Sequence, residues 1–312
     1  MITLSAEQLA TILARALPGE RLRETRALPG GRYALALAGG ERLQVQLYDT
    51  AKAAESAAAA LRLLREEIDL PVPQLRASDP QGDTVGQAYL LLSELRGEPL
   101  DQALGALDDE ALYKLGRALG TALSRVHRLV CEQYGALAGA GPAAADERGY
   151  ALARLAHDLR HCGELGLLDR RSADELTGWF EHEFTPLGRQ PALLHGGLRP
   201  SQVLVRAGEV GGWRITGLLG WGQALGWSPA WDHAAWLDAS DAPRLFSLRV
   251  GYGNAYDELT NRAYEQVRER VLAPYRMLLM LERMQAAHAA GDIAECERRR
   301  GMLRGLMQIV DA

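Results

Sequence analysis

"HGGLRPSQVLV" occupies residues 195–205, and "GLLGWG" follows at residues 217–222. The first run places glycines and a proline before an apolar stretch, and the second run ends an apolar stretch on glycines. Turn residues between short apolar runs predict a β-hairpin that spans both segments. Neither quoted run contains an Asp, a Glu or an Asn. The two runs therefore bring no carboxylate of their own to the hairpin.

The residues before this hairpin begin with a small mixed unit. Residues 5–16 have the spacing of an amphipathic helix, and residues 30–49 alternate apolar and polar side chains around a Gly-Gly turn, which predicts a hairpin. Residues 50–67 are rich in Ala and Leu at helical spacing. The Pro-punctuated run 68–79 and the apolar run 87–95 predict further strands. The N-terminal unit is therefore predicted to be α+β.

The rest of the chain is predicted to be mostly helical. Helical spacing covers residues 108–130, 146–165, 171–185, 231–238 and 255–312, and the Gly- and Ala-rich run 135–147 predicts a loop. Two lobes follow from this division, an N-lobe of residues 1–95 and a helical C-lobe of residues 96–312 that carries the hairpin. A ligand of such a protein is expected in the cleft between the lobes.

Composition limits the classes of partner. The 312 residues carry a net charge of −5 with a pI near 5.9, which gives no electrostatic reason to expect nucleic acid or an anionic membrane. The three cysteines have no metal-ligand spacing, and the chain shows neither a signal-peptide pattern nor a long apolar run. A cytoplasmic protein is predicted. Only two lysines occur, Lys52 and Lys114, so any chemistry that needs an amine depends on one of them.

The order of these elements around residues 195–205 resembles that of the aminoglycoside phosphotransferase and choline kinase group of kinase-like enzymes. The group's catalytic loop reads H-G-D-x-H-P-x-N-[IV]-[LM], its metal-binding turn reads I-x-G-[IV]-I-D-W, and a G-D-P-x-x-D-L-A element follows. The matching runs here are HGGLRPSQVL at 195–204, ITGLLGW at 215–221 and WSPAWDHA at 227–234. The resemblance implies one two-lobed, protein-kinase-like α+β domain and ATP-dependent transfer of phosphate to a hydroxyl.

The resemblance extends upstream and covers nearly the whole chain. LPGG at 28–31 is similar to the phosphate-covering turn, Glu55 to the helix carboxylate that pairs with the nucleotide-binding lysine, and YLLLSELRGEPL at 89–100 to the hinge. The cleft positions that the resemblance implies for a cofactor are Gly30, Gly31, Gln46, Glu55, Ser93, Glu94 and Leu95. Because the strand lysine is absent, Glu55 is expected to be either a solvated charge or the partner of an arginine. The glycine turn is interpreted as a plain hairpin turn.

The departures from the family pattern fall where chemistry is expected. Gly197 stands where the family has its catalytic Asp, and Gln202 and Gly220 stand where it has the Asn and the Asp that hold magnesium. Counting back from the helix, Gln46 replaces the phosphate-binding base, with Gln44 as the other candidate. A positioned acid or base supplies about 10²–10⁴-fold. Loss of these groups together removes on the order of 8 kcal/mol of transition-state stabilisation.

Two scaffold residues of the family remain. In the family, the Asp at position 232 buttresses the catalytic loop and the His at position 195 has a structural role, and both Asp232 and His195 are present. The scaffold residues are present, whereas the catalytic and metal-binding residues of the family pattern are absent. This combination favours a pseudokinase that binds a small molecule or a protein partner without phosphoryl transfer. No ATP, magnesium or other cofactor is expected under this interpretation, and a homodimer is possible.

Two other functions stay open. A working phosphotransferase with ATP and magnesium requires a relocated acid in the cleft, for which Glu94, Glu209 and Asp238 are the candidates. An interaction protein with an empty cleft is the second alternative. The clustered tryptophans are expected to form core or to wall a ligand site; they are Trp213, Trp221, Trp227, Trp231 and Trp236. His127, His233 and the run 275–288 are interpreted as core.

Overall fold

A computed structural model describes residues 3–67, 70–138, 144–187, 190–208, 212–260 and 264–310. The first part of the chain builds a sheet with two helices: α1 (Ala6–Ala16), β1 (Leu22–Leu28), β2 (Arg32–Leu37), β3 (Arg42–Leu47), α2 (Ala51–Glu67), β4 (Leu75–Asp79) and β5 (Tyr89–Ser93). These strands form an antiparallel sheet in the order β1-β2-β3-β5-β4. The predicted hairpin is β2 and β3, and the predicted helix and strands beside it are present.

The two faces of this sheet are covered by different helices. Helix α1 starts at a capping box, in which the Ser5 hydroxyl accepts from the Gln8 N–H (3.1 Å) and the Gln8 side chain accepts from the Ser5 N–H (2.9 Å). Its apolar stripe packs on one face of β2, β3 and β5. The Ala-rich α2 packs on the other face through Ala57, Leu61 and Leu64. The second face is the one that looks toward the rest of the molecule.

The remainder of the chain is mainly helical. Its elements are β6 (Glu98–Pro99), α3 (Leu100–Ala103), α4 (Asp109–Val126), β7 (Gly135–Ala136), α5 (Glu147–Glu164), α6 (Arg170–Glu183), β8 (Ala192–Leu194), β9 (Val203–Ala207), β10 (Trp213–Leu218), β11 (Leu225–Trp227), α7 (Pro229–Ala239), α8 (Phe246–Thr260), α9 (Tyr264–Ala289) and α10 (Ile293–Val310). Strands β9 and β10 are the predicted hairpin, and β6 pairs with β9 where the chain crosses from the first lobe. The predicted two-lobed α+β fold is therefore confirmed.

Some element boundaries differ from the prediction. Helix α8 begins at Phe246 rather than near residue 255, and β1 was not predicted because its side chains do not alternate between apolar and polar. The predicted loop at 135–147 contains the short strand β7, and residues 139–143 lie outside the described ranges. All three cysteines are buried and free. Within the described ranges, every helix is too short or too polar to span a bilayer.

Candidate ligand-binding cleft between the lobes

Asp232 holds the loop that begins at His195. The backbone N–H groups of His195 and Gly196 each donate to one carboxylate oxygen of Asp232 at 2.8 Å, and His127 Nε2 lies 3.0 Å from the same carboxylate. Burial alone would raise the pKa of Asp232. The hydrogen bond and charge of His127 and the loop N–H groups instead hold the pKa of this carboxyl below its ordinary value. The predicted scaffold contact is thus present.

His195 is a neutral structural side chain. Its Nε2–H donates to the carbonyl of Leu219 at 2.7 Å, which ties the loop to the end of β10. Its Nδ1 is buried without a hydrogen-bond partner among the described residues. Burial lowers the pKa of this imidazole, since a second ring proton would have no acceptor. The ring also packs against Trp221, with centroids 4.7 Å apart.

Gln223 lies next to Gly197. A Cβ atom added at Gly197 would lie less than 3.0 Å from Oε1 of Gln223, which is the far end of a flexible side chain. Residue 197 has no acid, and the nearest side chain is the uncharged amide of Gln223 from the turn after β10.

The two positions that resemble magnesium ligands lie side by side. A Cβ atom at Gly220 would lie less than 3.0 Å from Nε2 of Gln202, so the fold brings these positions together as the resemblance implies. Gly220 adopts a left-handed conformation with φ of 86°, which favours glycine. The Oε1 atom of Gln202 accepts from the N–H of Arg199 at 2.9 Å. Both positions are uncharged, and the amide of Gln202 is used within its own loop.

Gln46 is occupied in bracing the glycine turn. Its Nε2 donates to the carbonyls of Gly30 (3.1 Å) and Leu47 (2.9 Å), and both Gly30 and Gly31 have positive φ. The neighbouring residue across the strands is Arg32, whose Nε donates to the Pro29 carbonyl at 2.9 Å. Arg32 was not among the predicted cleft residues, although residues paired across strands share a face and Arg32 pairs with Gln46.

Glu55 and the hinge residue Ser93 each accept a hydrogen bond from elsewhere in the sheet lobe. Glu55 accepts from Nε2 of Gln81 at 3.1 Å, and among the described residues no arginine pairs with it. The Ser93 hydroxyl accepts from the N–H of Gln74 at 2.8 Å. Leu95 lies over the floor of the cleft, with its Cδ1 atom 2.9 Å from where a Cβ of Gly217 would be. These side chains support the cleft walls.

The candidate relocated acids do not converge on the loop. Glu94 forms an ion pair with Arg42 of β3. Asp238 forms ion pairs with Arg283 (3.6 Å) and with Arg299 in the helical lobe. Glu209 lies outside the described residues. Within the described ranges, no cluster of three or more His, Cys, Asp or Glu side chains is placed to hold a metal ion.

An open cavity of about 290 Å³ adjoins the loop on the side of the helices. One wall is the start of α2, and the opposite wall comes from α5, α7 and α9. Its lining residues are Thr50, Lys52, Ala53, Ser56, Ala136, Tyr150, Arg154, Gly196, Gly222, Gln223, Ala224, Leu225, Trp231 and Glu282. The loop at 195–205 therefore borders a polar cavity through Gly196. The predicted cleft residues did not include Lys52, Ser56 or Arg154.

Trp231 connects this cavity to the loop. Its Nε1–H donates to the carbonyl of Gly196 at 2.8 Å, and the guanidinium of Arg154 lies 5.0 Å from its ring centroid. The other predicted tryptophans Trp221, Trp227 and Trp236 are buried in core. Trp231 is buried in the core as well, at 2% exposure, and it also borders the cavity. The core interpretation is therefore confirmed for these four tryptophans, and the ligand wall stays a prediction. The side chain of His127 is buried, and so are His233 and most of the run 275–288, as expected.

Comparison with known proteins gives one family match and a set of similar solved structures. The model of the phosphotransferase enzyme family matches residues 26–270. Similar solved structures include a putative aminoglycoside phosphotransferase from Ralstonia eutropha JMP134, at 14% identity with 98% of each chain covered and a TM-score of 0.72. The GDP and kanamycin complex of APH(2")-IIia is 15% identical over 96% of this chain and 97% of that chain, with a TM-score of 0.63.

Macrolide 2'-phosphotransferase type I is 14% identical over 97% of this chain and 99% of that chain, with a TM-score of 0.59. At these identities the likeness to solved structures shows the fold alone. No curated protein matches the sequence. The family match covers most of the chain, and its span contains the loop at 195–205, the turn at 217–222 and Asp232. This chain belongs to the phosphotransferase enzyme family.

Proposed function

We propose that this chain is a pseudokinase of its family, which binds a small polar molecule in the cleft between the lobes and does not transfer a phosphoryl group. The observation that carries the proposal is the amide of Gln223 in the volume next to Gly197. Phosphoryl transfer needs a carboxylate there to orient the acceptor hydroxyl. An amide does not accept the hydroxyl proton at neutral pH, and residue 197 itself has no carboxylate.

The electrostatics of the neighbouring positions support the same conclusion. Two magnesium ions beside a triphosphate need carboxylate ligands that offset their charge. Gln202 and Gly220 lie next to each other and contribute no charge. Without metal, base and strand lysine, the barrier rises by roughly 8 kcal/mol, about a millionfold in rate.

The retained scaffold supports binding rather than a decayed fold. Asp232 still bonds to both loop N–H groups, and Trp231 still bonds to the loop carbonyl of Gly196. A buried carboxylate without such partners would be costly. The loop is therefore kept in one shape beside an open cavity, which is what a binding protein requires.

Phosphoryl transfer and nucleotide binding test this function directly. The protein is incubated with γ-labelled ATP, with magnesium or with EDTA, and a panel of hydroxyl-bearing acceptors including water. We expect no magnesium-dependent release or transfer of label, and no difference in the thermal midpoint between Mg-ATP and ATP with EDTA. Magnesium-dependent turnover above a heat-inactivated control would overturn the proposal and favour the working-phosphotransferase alternative.

A further inference from the structure

We propose that a cavity between helices α7, α8, α9 and α10 binds a small organic anion with an apolar body and a single carboxylate, such as a medium-chain fatty acid. The volume of this cavity is about 330 Å³, at the lower end of the roughly 300–1,000 Å³ found for small-molecule sites. It shares no lining residue with the cavity beside the loop at 195–205. A ligand here therefore occupies a second site, apart from the one in the cleft between the lobes.

The apolar wall of the cavity comes from all four helices. Its side chains are Leu237, Phe246, Val250, Leu272 and Met302. Phe246 is 62% exposed and Val250 is 37% exposed, and they lie one helical turn apart on α8. Among the large apolar side chains of the described residues, only Val130 and Ile293 are exposed to a similar or greater extent. Two exposed apolar side chains that border one cavity favour a ligand with an apolar body.

Arg276 is the lining cation that has no partner. Its side chain is half-buried, and it forms no hydrogen bond or ion pair within the part of the chain that the structure describes. Arg249 also lines the cavity and pairs with Asp241 at 3.1 Å, but the Asp241 side chain is 73% exposed. An ion pair open to solvent contributes little stability. The cavity thus offers one free guanidinium and one that a ligand can recruit at small cost.

The carboxylates near Arg276 are already shared by other arginines. Asp238, which lines the cavity, pairs with Arg283 at 3.6 Å and with Arg299. Glu295 pairs with Arg298 and with Arg299, each at 2.6 Å. The connected groups around the cavity are therefore three carboxylates and five guanidiniums, namely Asp238, Asp241 and Glu295 with Arg249, Arg276, Arg283, Arg298 and Arg299.

One further acid lies beside this set. Asp257 lines a smaller cavity that shares only Leu237 and Leu272 with this one. With Asp257 counted, the guanidiniums still outnumber the carboxylates, so the surplus charge of the cavity is positive. A guanidinium binds a carboxylate through two parallel hydrogen bonds. Arg276 beside an apolar wall therefore matches a ligand that has one carboxylate at the end of an apolar body.

Binding is measured by isothermal titration and thermal shift on the full chain, with octanoate as the probe. Octanol keeps the apolar body without the charge, octylamine reverses the charge, acetate removes the apolar body, and octyl phosphate changes the anionic group. We expect octanoate to bind at one site per chain, and the other four compounds to bind at least about tenfold more weakly. The affinity for octanoate is expected to fall as sodium chloride is raised, because the contact is ionic.

Three results of this titration would overturn the proposal. They are equal affinity for octanol, a preference for octyl phosphate, and no binding of octanoate up to about 10 mM. Octanol tests the ionic contact, octyl phosphate tests the assignment of a carboxylate, and octanoate tests the site itself.

Substitutions test the position of the site. R276Q is expected to weaken octanoate binding about tenfold or more, since a hydrogen-bonded charge is lost, and F246A roughly three- to tenfold, since part of the apolar wall is lost. The matched control is R171Q, because Arg171 lies on α6, is exposed, and pairs with Glu175 at 2.9 Å. Full affinity for octanoate in R276Q, or equal losses in R276Q and R171Q, would show that the site is elsewhere.

Stability measurements separate loss of binding from loss of folding. R276Q and F246A are expected to keep the urea midpoint of the wild type without ligand, because Arg276 has no partner to lose among the described residues and Phe246 is 62% exposed. Circular dichroism verifies the fold of each variant before binding is compared.

A second copy of the chain is the competing occupant of the apolar wall. Sedimentation velocity of the wild type and of F246D distinguishes the two occupants. We expect both proteins to have the same mass, and the wild type to keep that mass when octanoate is added. A wild-type dimer that dissociates in F246D would show that another copy covers the cavity, and it would overturn the proposal.

Discussion

Gly196 and Gly197, which are adjacent in the loop, differ in what an added side chain would meet. At Gly196, φ is 87° and an added Cβ atom would overlap the backbone carbonyl of Gln223. At Gly197 the obstacle is the end of the Gln223 side chain, which can rotate away. Backbone overlap and positive φ therefore make Gly196 a structural requirement, whereas at Gly197 a larger side chain needs only a shift of Gln223.

We predict that G196A lowers the free energy of unfolding by about 3 kcal/mol or more, and G197A by about 1 kcal/mol. Urea unfolding monitored by tryptophan fluorescence measures both. In the background Q223A, the cost of G197A is expected to vanish, while the cost of G196A persists. If G197A remained equally costly in that background, Gln223 would not be the group that fills the space.

His195 predicts how stability depends on pH. The pKa of His195 in the folded protein is lowered, so the unfolded state takes up the proton first as the pH falls. The contribution of His195 to the free energy of unfolding is therefore complete above the unfolded pKa near 6.5 and is lost as the pH falls below it. Asp232, also with a lowered pKa, acts the same way only below about pH 4. Between pH 6.5 and 5 the His195 contribution amounts to at most about 2 kcal/mol.

We expect urea midpoints to fall from pH 7 to pH 5 in the native protein and to fall less in H195Q. Glutamine keeps a donor for the Leu219 carbonyl and removes the titrating ring. Urea midpoints of the wild type and of H195Q are measured at pH 7 and at pH 5, and the change with pH is compared between the two proteins. An identical pH slope in the two proteins would show that His195 is not the group responsible.

At the scale of elements, α4 and α8 pack through glycines. Added Cβ atoms at Gly116 and Gly120 of α4 would overlap the backbone carbonyls of Leu248 and Tyr252, and one at Gly251 of α8 would overlap that of Tyr113. The two helices are thus in backbone contact, and α4 carries His127 to Asp232. Close packing of this pair therefore sets the distance from the helical core to the loop.

We predict that G120A or G251A lowers the free energy of unfolding by about 2–4 kcal/mol, since the helices must separate. The matched control is G178A in the exposed part of α6, where no atom lies within 4 Å of an added Cβ. That change is expected to raise stability by up to about 1 kcal/mol, because alanine favours a helix. Thermal and urea unfolding of the variants measure the contrast. Equal effects at all three positions would contradict close packing.

At the scale of the whole molecule, Tyr48 joins the two lobes. It follows β3, and its ring lies 2.9 Å from where a Cβ of Gly222 would be. Burial raises the pKa of the Tyr48 phenol. Helix α2 rests against the same turn, which makes Ala53 the next neighbour of Gly222. The cleft is therefore bridged at this point by direct contact.

We predict that Y48A costs about 2–4 kcal/mol and broadens or splits the calorimetric transition, because the lobes lose this contact. Y48F is the control and is expected to change stability by less than about 1 kcal/mol, since the phenol has no hydrogen-bond partner among the described residues. A single sharp transition in Y48A with wild-type enthalpy would contradict coupling through Tyr48.

The local patterns of the chain determined most of its elements. The Gly-Gly turn between alternating runs was enough to predict β2 and β3, and the Ala- and Leu-rich spacing was enough to predict α2. The hairpin pattern in and after HGGLRPSQVLV predicted β9 and β10. These predictions succeeded because periodicity and turn chemistry act within a few residues. The neutral residues at 197, 202 and 220 were also visible without coordinates. Strand β1 was not, since its side chains lack alternation.

Only the tertiary structure decided what occupies the cleft. Gln223 beside Gly197, Gln81 on Glu55, and Lys52 with Ser56 facing Arg154 across a cavity are contacts between segments far apart in the chain. No local pattern specifies them, because side-chain positions across a cleft depend on how whole elements pack. The sequence alone thus determined which charged residues of the family pattern are absent, and packing decided which uncharged groups lie beside those positions.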